Sequence, residues 1–438
     1  MVATWVALVF AGFICLIIKD TSWFADNMPL VSWYVIFCVS CVFVVSMFKK
    51  YGSKFYDFKG LMIIFTGYFI RIFFLLWDRH LTGVLGNVPG TGPDPERFYA
   101  AALGLRPHTW VYADFLEIIF QIFGPQRIIG QYINILLGIS AVFVGMEILR
   151  KYTLNKNITM IALAIGMLLP YYMIMNVFLA REGIIAFFII TSLYFFIYWL
   201  RSDKFSPIIF TFLCILMATL FHAGSFAVLI GYMTYVVFYD RKNKKFNFKP
   251  KSIVLILIFL SLVYMADYYF GTELFRQFQR FDTIEDVLIF ADVDDPVGGA
   301  GYTTFINTGN TTMDFIVNTP VRMVYFLLSP MPWYWRGPQD IIAFALSSSF
   351  YGYTYFIAFR AVKAKEIENR EIIIFLFIAS VIATFIFGWG VRNAGTAMRH
   401  RDKFFMQHVL MLVLSIQAIS NRYEIPFFRK LHGKLQLN

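Results

Sequence analysis

A chain of 438 residues that is 59% hydrophobic and only 15% charged has too little polar surface to cover a soluble body of its size, since soluble domains run at roughly 45–50% apolar. The net charge of +11 does not point to a nucleic-acid partner, because the basic residues gather in short loops between apolar runs, as the positive-inside rule describes. Cys15, Cys38, Cys41 and Cys214 all lie inside apolar runs, which reads as small buried residues and excludes a disulfide framework or a cysteine metal site.

A helix needs roughly 20 apolar residues to cross about 30 Å of hydrocarbon. Such runs fall at 3–19, 31–48, 60–77, 128–149, 158–176, 183–200, 207–221, 224–239, 252–270, 341–360, 372–390 and 404–420. They predict an all-α polytopic membrane protein of about 12 transmembrane helices, one transmembrane domain over 1–438, because backbone groups in lipid must pair within the segment. Residues 3–18 have no basic stretch before them and no small-x-small pattern after them, so they read as a retained span and not as a signal peptide. The loops then alternate. One set (49–59, 150–157, 201–205, 240–251, 361–371 and 421–438, with Arg360) holds 16 Lys and 7 Arg, and the other (20–30, 78–127, 177–182, 222–223, 271–340 and 391–403, with Lys19) holds 2 Lys and 12 Arg. The first set is read as cytoplasmic, which puts both termini inside. Two long outer loops result, about 78–127 and 271–340. The apolar but proline-broken stretch 315–335 reads as a re-entrant or interfacial segment, with a thirteenth span as the alternative.

The outer Arg excess is the chemical clue. Arg presents a planar fork that binds phosphate or carboxylate in bidentate fashion; the plainer alternative is that several simply pair with outer acids such as Asp282, Glu285 and Asp286. In chain order, Asp78-Arg79-His80 ends the third expected span, with Arg71 deeper in it, and His80 is a candidate acid or base. The loop GVLGNVPGTGPDPERFY at 83–99 places Asp94 as an N-cap, Pro95 at the first helical position and Glu96 and Arg97 in the first turn. Helices at 95–104 and 111–123 read as amphipathic and interfacial. Arg181-Glu182 opens the sixth span, and His222 sits on a tight outer hairpin. Arg276 and Arg280 lie in the second loop, whose Asp292–Asp295 run lacks the EF-hand pattern, so no metal is assigned. Trp333-Tyr334-Trp335 suits a membrane interface or sugar stacking. RNAGTAMRHRDK at 392–403 carries Arg392, Arg399, His400 and Arg401 before the last span, with Arg392 and Arg399 on one face if helical. No GxxxxGK[ST] and no strand-borne GxGxxG occurs.

The topology, with long outer loops, outer Arg and His and no nucleotide motif, resembles Wzy-like polysaccharide polymerases and O-antigen ligases within the GT-C-type membrane glycosyltransferases. The loop PDPERFYAAA is similar to the acidic first outer loop of GT-C transferases, and Arg399-His400-Arg401 before a final span looks like the tail of EpsG-like exopolysaccharide proteins. The chain departs from the Arg-x10-Gly spacing of some polymerases at Ser192, eleven residues beyond Arg181. The resemblance implies glycosyl transfer from a polyprenyl-(pyro)phosphate-linked sugar at the outer face of a bacterial inner membrane. Arg79, Arg97, Arg181, Arg276, Arg280, Arg392, Arg399 and Arg401 would bind phosphate, and one of His80, His222, His400, Asp94 or Glu96 would act as base. No cofactor is expected on the polymerase reading. A GT-C transferase adding one sugar, with Asp94 as base and often a divalent metal, is an alternative; a transporter or flippase of lipid-linked sugars is another. Expected partners are the lipid-linked glycan, membrane lipid and other polysaccharide-assembly proteins.

Overall fold

The computed structural model describes residues 1–52, 57–90, 92–153, 155–202, 204–240, 283–292, 305–364 and 367–423, with isolated positions between 243 and 302. The described chain is mostly helical and divides into two compact units, residues 1–187 and 188–438.

The first unit comprises α1 (Val2–Ile18), α2 (Ser22–Phe48) and α3 (Phe58–Leu76). A five-residue π-helical turn, Trp77–Leu81, carries α3 into the short α4 (Thr82–Leu85). Then follow α5 (Asp94–Ala102), α6 (Val111–Phe123), α7 (Arg127–Tyr152), α8 (Lys156–Leu168) and α9 (Pro170–Met175), and the boundary falls inside α10 (Glu182–Arg201). Local chemistry sets the helix ends. The Thr21, Asp57 and Asn155 side chains accept from the first-turn amides of α2, α3 and α8, as N-caps do. As expected, α6 is amphipathic, burying Tyr112, Leu116 and Phe120 while exposing Glu117 and Gln121. The expected N-cap Asp94 is instead the first helical residue, with Pro93 in the cap position.

α7 is the core of this unit. In the apolar stretch of α7, 89% is buried, so it meets protein on nearly every side. Beside it the single span expected at 158–176 is broken, because Pro170 has no N–H and the Leu169 backbone turns extended. The break frees carbonyls at the end of α8, and Arg71, fully buried on α3, donates through Nη1 to Met167 O (2.8 Å) and Gly67 O (2.8 Å). A cation at a helix C-terminus is favoured by the dipole. Gly67 makes that approach possible: a Cβ there would lie 2.8 Å from Met167 O.

The second unit continues with α11 (Ser206–Phe221) and α12 (Phe226–Phe238), then a two-residue antiparallel pair, β1 (Tyr239–Asp240) with β2 (Lys245–Phe246). That ribbon departs from the all-α expectation. Beyond it are α13 (Ile284–Asp292), α14 (Thr311–Leu328) and α15 (Pro338–Ile342). A second π-helical turn, Ala343–Ser348, links α15 to α16 (Ser349–Lys363), and α17 (Arg370–Trp389), α18 (Ala394–Asp402) and α19 (Phe405–Tyr423) complete the unit. Gly231 lets α12 press on α17, since a Cβ would stand 2.8 Å from the Ala379 Cα. Phe196, Tyr232 and Phe375 stack around that contact with centroids 4.5–4.9 Å apart.

Six described helices are long and apolar enough to cross a membrane, or seven if α18 and α19, bent by 68°, form one span. This is compatible with an integral membrane protein. It falls short of twelve because α1, α8, α11 and the helical stretch Ala223–Phe238 have 10–17 residues, which at 1.5 Å per residue reach less than about 30 Å. The span expected at 252–270 lies largely outside the described residues. Cys38 and Cys41, read as buried, are exposed on α2, whose apolar face there is not covered by the described residues. The stretch 315–335 is helical to Leu328, straight through Pro320, and breaks only at Ser329 before a 3-10 turn at Pro332–Tyr334.

Gly67→Ala should cost about 1–3 kcal/mol by overpacking α3 on α8, read as a lower melting temperature of the detergent-purified protein. A second test uses Asp57, whose carboxylate accepts from Lys156 Nζ at 2.8 Å and from the Gly60 amide at 3.0 Å. The Lys156 hydrogen bond first, and then the Gly60 amide, hold its pKa below the ordinary value. A depressed folded pKa stabilises above the unfolded value of about 3.9 and loses that contribution as pH falls through the folded value. The stability gap between the native protein and Asp57→Asn, screened to about 1 kcal/mol or less, should therefore shrink from neutral pH to about pH 3. A gap that grew on acidification would contradict the pairing.

Candidate functional site

In the first unit a cavity of about 520 Å³ opens between α2, the π-helical turn at 77–81, α5 and the start of α7. Its walls include Trp33, Arg79, His80, Glu96, Tyr99 and Arg127. Three of these, Arg79, His80 and Glu96, were expected from the sequence to carry function; Arg127 was not singled out.

Each charged group is held from behind. A π-helical turn widens the helix by one residue and recurs at functional sites. Here it turns Asp78 inward, 7% exposed, while Arg79 and His80 reach the cavity. Asp78 Oδ2 accepts from Arg79 Nε (2.9 Å) and from Gln131 Nε2 (2.7 Å), and lies 2.6 Å from Arg79 Nη2 as an ion pair. His80 lies 5.5 Å from the Trp33 ring. Arg127 donates through Nη1 to Glu96 Oε1, and its guanidinium carbon stands 5.9 Å from the Tyr99 centroid. Tyr99 is itself fixed by donating to Pro125 O at 2.9 Å.

Arg127 and Gln131 belong to a longer series. Positions 127, 131, 134 and 138 are spaced to share one face of a helix. Asn134 Nδ2 donates to Phe178 O and Ala180 O, each at 2.7 Å, and to the Tyr112 hydroxyl. Gly138 O accepts from the Tyr172 hydroxyl at 3.2 Å. This polar stripe on an otherwise apolar helix joins the cavity to the chain before α10. Polar residues within a membrane helix are costly and mark function or packing. The i, i+4, i+7 spacing of Arg127, Gln131 and Asn134 was the signal available in the sequence.

The remaining expected site residues of this unit lie apart from the cavity wall. Asp94 and Arg97 pair across one turn of α5 at 3.7 Å, with Arg97 largely exposed. Arg181 stands 5.7 Å from the Phe98 ring.

In the second unit His222 and His400, distant in sequence, meet edge to face at 4.8 Å between centroids, both against Phe387. The three arginines of the 392–403 segment do not act together. Arg392 precedes α18, whose N-cap is Asn393, so it shares no helix face with Arg399; its guanidinium lies 4.6 Å from the Phe290 ring. Arg399 is half-buried on α18. Arg401 is fully buried: Nη1 donates to Leu327 O (2.6 Å) and Ser329 O (2.8 Å), and Nη2 to Ser347 Oγ (3.0 Å) and Ser348 Oγ (3.2 Å). That guanidinium caps the end of α14 and ties it to the second π-helical turn. Arg322, not foreseen, performs a like task, donating to Gly388 O, Ala291 O and Val391 O. Arg276 and Arg280 lie outside the described residues. Among the described residues no three His, Cys, Asp or Glu side chains group as a metal set.

No family model matches the chain, and no curated protein or solved structure matches it.

Because Arg401 satisfies carbonyls, its loss should show in stability before activity. Arg401→Ala leaves buried acceptors unpaired and should cost about 3 kcal/mol or more, with Arg401→Lys recovering little of it. A stable, monodisperse but inactive Arg401→Ala protein would instead give Arg401 a direct role on substrate.

Proposed function

We propose that this protein is a membrane glycosyltransferase that takes a sugar or oligosaccharide from a polyprenyl-(pyro)phosphate carrier at the outer face of a bacterial inner membrane, and that the reaction is polymerisation of a surface or exopolysaccharide. The topology this requires has the Lys-rich loops and both termini inside and the 78–127 segment outside. The observation that carries the proposal is the convergence of Arg79, His80, Glu96 and Arg127 on one cavity. Two guanidiniums and an imidazole between aromatic walls suit a phosphate joined to a sugar ring. A path for the carrier's tail runs alongside: Pro29 and Trp33 line the cavity, and Leu30, Tyr34 and Phe37 form an exposed apolar stripe on the adjoining face of α2.

The step follows from these positions. An acceptor hydroxyl oxygen attacks the anomeric carbon, and its proton passes to His80, which the Trp33 ring helps orient. The bond between the anomeric carbon and the phosphate oxygen breaks, and its electron pair stays on the phosphate. Arg79 and Arg127 stabilise that developing charge, and fixed charges of this kind supply much of the rate in such reactions. Arg79 is aimed by Asp78, and Asp78 in turn by Gln131.

Arg79→Ala and Arg127→Ala should each lower transfer from a polyprenyl-pyrophosphate-linked oligosaccharide by about 10²–10³-fold in reconstituted vesicles. Arg150→Ala, which breaks the exposed Arg150–Glu147 pair far along α7, serves as control and should retain the native rate. Unchanged transfer in both cavity variants would overturn the proposal. Counterflow of the lipid-linked sugar without bond formation would replace it with the transporter reading.

A further inference from the structure

Arg79 and Arg127 line the same cavity but are neutralised in opposite ways. Behind Arg79 stands Asp78, buried, with two hydrogen bonds and a close ion-pair contact on one oxygen. To remove it, a ligand would have to break these contacts and strand a buried charge. In front of Arg127 stands Glu96, whose side chain is 67% exposed while that of Arg127 is only 8% exposed. Glu96 meets Arg127 through one carboxylate oxygen and one guanidinium nitrogen. Arg127 Nε is buried with no hydrogen-bond partner. A guanidinium offers five donors in a rigid fork, so this one is under-used by the carboxylate it holds. Glu96 also sits in the first turn of α5, after a loop in which Gly86 and Gly90 adopt positive φ.

From this asymmetry we infer that Glu96 is a stand-in for the ligand's anion: a phosphate or pyrophosphate group displaces the Glu96 carboxylate from Arg127 and is held by Arg127 and Arg79, while the Asp78–Arg79 pair stays intact. Glu96 is then a specificity residue and not the base. It keeps a weakly competing anion, such as a lone carboxylate, from gaining anything by exchange. A dianionic phosphate offers more charge and more acceptor oxygens than the group it removes. The inference rests on the proposed function only in naming the phosphate class. Displacement of Glu96 can be read by binding alone.

The test is titration of the full-length, detergent-purified protein with inorganic pyrophosphate at fixed ionic strength, and in parallel with phosphatidylcholine vesicles carrying polyprenyl phosphate, compared with phosphatidylcholine alone. Removing the competitor has a sign opposite to that of losing a contact. Glu96→Gln should bind about three- to tenfold more tightly than the native protein, the range expected for an ion pair with one exposed partner. Arg127→Ala should abolish the gain in the double variant. A gain with pyrophosphate supports the inference with the free headgroup as ligand, and a gain only with the doped vesicles supports it with the lipid as source. Equal or weaker binding of both probes to Glu96→Gln overturns it, as does an undiminished gain in the double variant. Because Glu96 is exposed, the variant should fold, which gel filtration checks. Failure of the two readings is separable. A binding gain without any glycosyl transfer sinks the transferase proposal alone, and transfer with native-like binding in Glu96→Gln sinks the stand-in alone.

Discussion

The enclosure of α7 governs the first unit. A helix surrounded by protein draws the partners of its polar groups from its neighbours, because an unmet buried group is costly; the amide donors of Gln131 and Asn134 are met in this way, while Gln131 Oε1 and Asn134 Oδ1 are left without a partner among the described residues. Arg127, Gln131 and Asn134 therefore select the contacts of the elements around them. Glu96 on α5, Asp78 in the π-helical turn, and the carbonyls of Phe178 and Ala180 are all drawn to one stripe. The cavity lies at the open end of that stripe, and its charged wall is the last rung of a polar ladder whose other rungs are packed.

Buried arginine does different work elsewhere. Arg71 answers carbonyls freed where Pro170 breaks a helix, and Arg401 and Arg322 answer carbonyls near the ends of α14 and α17. Each of these guanidiniums donates to backbone oxygens, and Arg401 also to the Ser347 and Ser348 hydroxyls. Arg127 differs in its partner, a single exposed carboxylate rather than backbone oxygens.

Composition and loop chemistry made the helical, apolar nature of the chain legible, along with α5, α6 and the residues Arg79, His80 and Glu96 that line the cavity. Three things were not legible, for physical reasons. Averaged over a window of about 20 residues, three polar side chains vanish into the apolar mean of α7, so Arg127 read as one more loop arginine. A guanidinium that caps carbonyls and one that lines a cavity have the same one-letter code, so Arg401 could not be told from Arg79. The meeting of His222 with His400 depends on how distant helices pack, and no local pattern encodes it. Helix breaks were under-read as well: Pro170 lies in a run apolar enough to pass as one span, although its missing N–H forbids a continuous ladder.

The burial of α7 also bears on how the protein is made. A helix that ends with 89% of its apolar stretch against protein cannot keep lipid as its neighbour. Its neighbours in α8 and at the start of α10 lie later in the chain, so its enclosure is completed only after they are made. Until then Asn134 has neither Phe178 nor Ala180 to bond. Those carbonyls lie some forty residues further along the chain, so the inner end of the polar stripe is completed after its open end, where every residue lining the cavity lies at or before Ile128.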